Sequence, residues 1–196
     1  MRAIELLDSY EMICDKSLVS GPDYSDGRYS FSLKEADKAA KIREVTIYDV
    51  PPNTLLLSMQ KYENLKLGNY LKSILKAELG IFMSCDFLLI SETKKGLFLT
   101  FIELKSREFS NSDVKKQFKG ASCFIEYCHA IIEYFLGRPM PKLSAMETRY
   151  VLISGRTPIK RPTKYEKYVN LSSPDNYYHH GVGNANASFV PFGKLI

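Results

Sequence analysis

The chain has 196 residues, 45% of them hydrophobic and 25% charged, with a formal net charge of +5. That is enough for one good-sized domain with a real core, and it excludes a disordered or low-complexity chain. No run approaches the roughly 18 apolar residues of a membrane span, and acids interrupt MRAIELLDSYEM where a signal peptide would be apolar, so no membrane partner is expected.

In chain order, residues 1–60 read as an N-terminal extension. It holds a short helix over 2–13, a turn-rich stretch SGPDYSDG at 20–27 and a short helix near 33–42. EVTIYDV (44–50) and TLLLSM (54–59), parted by Pro51-Pro52-Asn53, predict a hairpin or two sheet-edge strands. Leu67, Leu71, Ile74 and Leu75 predict a helix over 61–79 that stops at Gly80. A very short strand at 81–83 precedes two strands, roughly 81–91 and 97–106, joined by the polar turn ETKKG at 92–96.

From 112 to 136 a long helix carries Val114, Phe118, Ala121, Ile125, Cys128, Ile132 and Phe135 on one stripe. Ser112 or Asn111 is placed to cap it, and Gly137 to end it. RYVLISG (149–155) reads as another buried strand. From 156 onward the chain reads as irregular, with a short strand at 188–192. The order indicates an α/β fold with a mixed sheet flanked by helices. The organisation expected is an extension (1–60), a core (61–155) and a basic, aromatic-rich C-terminal segment (156–196), together one compact unit. Cys14, Cys85, Cys123 and Cys128 show no CxxC spacing and fit reduced thiols of a cytoplasmic protein.

Charge is unevenly placed. Residues 156–196 hold six Lys/Arg against two acids, which is +4 of the net +5. Arg156, Lys160, Arg161, Lys164 and Lys167, interleaved with Tyr165 and Tyr168, suit a polyanionic partner; a solvated tail is the plainer alternative. His129, His179 and His180 lack ligand partners at useful spacing, and there is no phosphate-binding GxxxxGK[ST].

The chemistry-bearing stretch is FLTFIELKS at 98–106. It reads as a strand buried on both faces, yet it carries Glu103 and Lys105 two residues apart, hence on one face. Asp86 opens the preceding strand. Pairing Asp86 with Glu103 puts the hairpin midpoint between residues 94 and 95, inside the expected turn. Cross-strand neighbours have Cβ atoms about 4.5–5.5 Å apart, and two carboxylates that close need a cation or a shared proton. A hard divalent ion such as Mg²⁺ meets that need, with Lys105 beside it. A structural Glu–Lys pair with Asp86 capping the strand is the alternative.

Asp86 followed after a hairpin by Glu103-x-Lys105 resembles the PD-(D/E)XK nuclease superfamily, with Cys85 where the motif has Pro. LFLTFIELKSR (97–107) and QFKGASCFIEY (117–127) are similar to archaeal Holliday-junction resolvases. The resemblance covers about 61–155. It implies a restriction-endonuclease-like αβββαβ core and a Mg²⁺-dependent endonuclease, Mn²⁺ substituting, that acts on nucleic acid, DNA foremost, and leaves a 5′-phosphate. It implies that Asp86, Glu103 and the backbone carbonyl of Leu104 bind the metal while Lys105 positions or deprotonates the attacking water. It also implies a site contact for Gln117, a further Glu from the first helix, and often a homodimer or a partner protein. Glu63 and Glu78 both lie near the apolar face of 61–79, and the return of residues 80–86 along the helix favours Glu63. A non-catalytic nucleic-acid-binding protein of the same fold and an interaction protein using its basic tail are the competing functions.

Overall fold

Two kinds of strand sequence build two sheets in the computed structural model, which describes residues 3–35, 42–60, 83–94, 96–105, 108–155, 173–183 and 187–196. In chain order the elements are α1 (Ala3–Ile13), β1 (Val19–Ser20), β2 (Asp23–Ser25), β3 (Arg28–Lys34), β4 (Glu44–Tyr48), β5 (Thr54–Ser58), β6 (Phe87–Thr93) and β7 (Gly96–Lys105). There follow α2 (Asn111–Leu136), β8 (Glu147–Ser154), β9 (Tyr178–Gly181) and β10 (Ala187–Pro191).

Strands β5 (TLLLS), β6 (FLLISET) and β7 (GLFLTFIELK) are near-continuous apolar runs. Such strands are buried on both faces and belong inside a layered sheet. They form the centre of a six-stranded mixed sheet in the order β1-β5-β6-β7-β8-β9. The pairs β1–β5, β5–β6 and β6–β7 are antiparallel, and β8 and β9 continue parallel to β7. Strands β3 (RYSFSLK) and β4 (EVTIY) instead alternate apolar and polar residues, as strands with one wet face do. With β2 and β10 they form a four-stranded sheet, in the order β10-β4-β3-β2.

The six-stranded sheet is the middle layer. One face packs Leu88, Ile90, Leu99, Phe101 and Leu152 against Val114, Phe118, Ala121, Ile125 and Ile132 of α2, with Leu7 and Tyr10 of α1. The other packs Leu89, Ile102, Leu104, Val151 and Ile153 against Phe31, Leu33, Val45, Ile47 and Val190 of the smaller sheet. Strand β7 therefore has a layer on each side, which is why its residues 98–104 are all buried. Arg138 Nη1, just past α2, donates to Ser9 Oγ at 2.7 Å and to the Glu5 carbonyl oxygen at 3.3 Å, tying α1 to the end of α2.

Several expectations change. The 33–42 region is strand as far as Lys34, and the rest of the expected helix, 36–41, lies outside the described residues. Segments 44–50 and 54–59 do not pair with each other. Strand β4 joins the outer sheet and β5 enters the central one, because one alternates and the other is apolar throughout. Of the expected strand 81–83, Met83 is not in a strand and 81–82 lie outside the described residues; β5 supplies the strand next to β6.

The helix cap is Ser110, whose side-chain oxygen accepts from Ser112 N, and not Ser112 or Asn111. Gly137 ends α2 with φ 65°, as expected of a left-handed cap. Phe135 is 82% exposed, because it sits about 60° round the helix from Ile132, off the packed stripe. The C-terminal segment is less irregular than its composition suggests: β9 extends the central sheet, and β10, the expected strand at 188–192, pairs parallel with β4. The helix expected over 61–79 lies outside the described residues.

Candidate active site

Along the β6–β7 hairpin Thr93 is level with Gly96 and Phe87 with Ile102. Each level pair has the register expected from the turn, so Asp86, one residue before β6, stands opposite Glu103. Two hydrogen bonds lock the crossing. Asp86 N donates to Glu103 Oε2 at 3.2 Å, and Leu104 N donates to Asp86 Oδ2 at 2.7 Å. The Asp86 carbonyl oxygen accepts from Met59 N at 2.8 Å, which draws the end of β5 alongside.

Glu103 shares the helix-facing side of β7 with Leu99 and Phe101 and is fully buried. Lys105 is two residues on, with Nζ 2.5 Å from Glu103 Oε1, and its side chain keeps 28% of its surface exposed. The ammonium thus bridges the buried acid and the solvent edge. Within an extended strand the N–H and C=O of one residue point to the same side. Leu104 N reaches Asp86 while the Lys105 carbonyl accepts from Gly155 N at 3.3 Å on the β8 side. The Leu104 carbonyl therefore lies on the Asp86 side of β7.

Electrostatics follow from burial. Desolvation, and then the charge of Asp86, push the Glu103 carboxyl up to about 8, although Lys105 and Gln117 pull it down. Desolvation likewise raises Asp86 to about 6, opposed first by its hydrogen bond from Leu104. Burial disfavours the Lys105 ammonium, but Glu103, Asp86 and Glu35 together outweigh it and hold its pKa above the ordinary value. Two carboxyls this crowded share the site at neutral pH only with a proton or a cation between them.

The structure brings together Asp86, Glu103, Leu104, Lys105 and Gln117, all singled out from sequence. Gln117 reaches Glu103 from the first turns of α2, while its Oε1 stays buried and unpaired. Sequence reasoning missed two neighbours. Gln60, following β5, faces Asp86 closely enough to favour its charged form, though its Nε2 closes no full hydrogen bond. Glu35, following β3, adds negative charge felt by both Asp86 and Lys105. Neither carries a local signal, since only the packing of β3 and β5 around β6 brings them near. Glu63 and Glu78 lie outside the described residues, as do Arg156, Lys160, Arg161, Lys164 and Lys167.

Among the described residues no three His, Cys, Asp or Glu side chains stand close enough to hold a metal together. Mg²⁺ does not require three: it keeps several waters and binds through one or two carboxylates. Two crowded carboxyls, one fully and one half-buried, a backbone carbonyl on the same side and buried amide atoms without full partners fit such an ion. Cys85 lies in the same pocket with its thiol donating to the Phe87 carbonyl oxygen at 3.3 Å, and burial with the two acids holds it protonated. No protein-family model, curated protein or solved structure matches this chain.

Proposed function

We propose that this protein is a Mg²⁺-dependent nuclease that hydrolyses phosphodiester bonds, with DNA as the favoured substrate, on a restriction-endonuclease-like core. The observation that carries the reading is the Asp86–Glu103 pair held across adjacent strands, Glu103 fully buried and Asp86 half-buried, with Lys105 on the same face of β7 as Glu103. Holding a second carboxyl against the buried Glu103 raises the cost of charging both, a cost that a bound cation would offset.

Topology supports the same reading. A helix, three consecutive antiparallel central strands, a second helix and a strand parallel to the third occur in the order α1, β5, β6, β7, α2, β8. That order is compatible with an αβββαβ core in which α1 and β5 take the places expected of residues 61–83, with β1–β4 lying between α1 and β5. The acids come from the hairpin and Gln117 from the second helix, as the resemblance also implies.

A bound Mg²⁺ supplies Lewis-acid charge neutralisation and an acidified water. Asp86, Glu103 and the Leu104 carbonyl would hold it. Lys105, kept protonated by its carboxylate neighbours, is placed to orient the attacking water and to stabilise charge building on the phosphate. Gln117 orients the Glu103 carboxyl. Glu35 deepens the negative potential that draws a cation in.

The test is incubation with labelled duplex, branched and single-stranded DNA and RNA, with Mg²⁺, Mn²⁺ and chelator in parallel. Metal-dependent cleavage is expected. Asp86→Ala, Glu103→Ala and Lys105→Ala should each lower it by roughly two orders of magnitude or more, and the double acid variant should be no worse than either single one. Wild-type cleavage by Glu103→Ala would rule out the mechanism. Binding without cleavage in any metal would favour the non-catalytic alternative.

A further inference from the structure

A polar pair on the same face of the sheet, unused by the chemistry above, is Ser154 and His179. Strands β7, β8 and β9 run parallel in register, so Glu103 is level with Leu152 and Leu152 with His179, while Lys105 is level with Ser154. Residues level on adjacent strands share a face. Ser154 and His179 therefore lie on the helix side with Glu103 and Lys105, at the edge of the sheet where the acids lie. Ser154 Oγ and His179 Nε2 are 2.6 Å apart.

Ser154 is fully buried and His179 half-exposed, so the pair runs from the sheet interior to its surface. Phe109 meets the His179 ring edge-on, with centroids 5.8 Å apart at 83°, which fixes the ring plane. Burial and neighbouring His180 hold the His179 pKa below its ordinary value, so the ring is neutral near pH 7. With the Ser154 hydroxyl donating to Nε2, the ring proton sits on Nδ1, the nitrogen that Ser154 leaves to other acceptors.

Distance decides which acceptor. Strands lie about 4.8 Å apart, so His179 is roughly 10 Å from Glu103, two strands away. A proton donor to the reacting phosphate must approach to about 3 Å, which excludes that role. A second phosphate on a polynucleotide lies within reach.

We propose that Ser154 and His179 form a phosphate-binding subsite that holds a phosphate flanking the scissile one; its placement beside a scissile group rests on the nuclease reading. The pair makes a single neutral contact that positions the strand, with Ser154 setting the tautomer of His179. A plain structural bond that satisfies a buried hydroxyl is the competing role.

The two roles separate without any cleavage assay. The imidazole nitrogens of His179 are followed by NMR while inorganic phosphate is added at constant ionic strength, with chloride as control. A saturable shift at His179 is expected. His180 serves as internal reference, because it is level with Ile153 on the opposite face. His179→Gln should weaken phosphate binding roughly tenfold, the scale of one hydrogen bond to a charged group. Ser154→Ala should weaken it about twofold, because the ring then divides between its two tautomers, and the two variants together keep the test valid should either fold poorly. No saturable shift, or an unchanged affinity in both variants, overturns the subsite. Phosphate binding here in a protein that cleaves no nucleic acid would sustain the subsite and sink the nuclease reading. Cleavage with no shift would do the reverse.

Discussion

Glu103 is the residue on which function and stability pull in opposite directions. Burial, and then the charge of Asp86, push its carboxyl up to about 8 from an ordinary value of 4.5. Between those values the folded chain holds a proton that the unfolded chain has released, so stability falls as pH rises through that window. At pH 8 in chelator the charged group then costs on the order of a few kcal/mol. Thermal unfolding in chelator should show Glu103→Gln more stable than wild type at pH 8 and nearly equal at pH 5. A purely structural Glu–Lys pair predicts the reverse, because glutamine would discard a useful ion pair. His129, His179 and His180, all with pKa lowered first by burial, act on both proteins alike and cancel in the comparison. The same shift sets the metal response. Ligation needs both carboxylates ionised, so Mg²⁺ binding should release a proton below pH 8 and tighten as pH rises from 6 to 8.5. Calorimetry in two buffers of different ionisation heat measures that release. Binding that does not depend on pH would remove Glu103 from the metal's ligands.

At the scale of elements, α2 shows what a sequence displays and what it withholds. Its 26 residues place Val114, Phe118, Ala121, Ile125, Cys128 and Ile132 on one buried stripe, and 3.6-residue periodicity makes that legible. Phe118 is fully buried between Tyr150 and Tyr177, at centroid distances of 5.4 and 5.5 Å. Phe118→Ala should cost about 3–5 kcal/mol in denaturant unfolding, whereas exposed Phe135→Ala should change stability by about 0.5 kcal/mol or less. Comparable losses would mean that α2 packs through a different stripe. The hairpin register was also legible, because a two-residue turn fixes every pair along β6 and β7, including the position of Asp86 opposite Glu103. The separation of β4 from β5 was legible in principle: EVTIY alternates and TLLLS does not. A short loop between two apolar segments suggested a hairpin instead. Local patterns could not reveal Gln60 and Glu35 at the site, nor Ser154 against His179. Those contacts join segments whose meeting depends on the order of strands in the two sheets.

The whole molecule is bound together by pairings between distant parts of the chain. The C-terminal β10 lies parallel beside β4, and β9 completes the sheet begun by β1. The described residues that flank the basic stretch in sequence are held on one side by β7 and on the other by α2. Gly155 N–H donates to the Lys105 carbonyl oxygen at the end of β8, and the described chain resumes at residue 173. There Lys119 of α2 pairs with Asp175 at 2.9 Å, and the Tyr177 hydroxyl donates to Asn111 Oδ1 at 2.9 Å. Arg156, Lys160, Arg161, Lys164 and Lys167 lie in the interval, close in sequence to the strand end that carries Ser154. Replacing these five with Gln should weaken nucleic-acid binding for all sequences alike. It should also flatten the plot of log affinity against log salt by roughly 0.7–0.9 for each phosphate that is no longer neutralised. The measurement is a salt titration in Ca²⁺, which accepts looser carboxylate geometry than Mg²⁺. A slope unchanged by all five substitutions would make the segment a solvated appendage. The phosphates would then be held by the sheet edge itself, at Lys105 and His179.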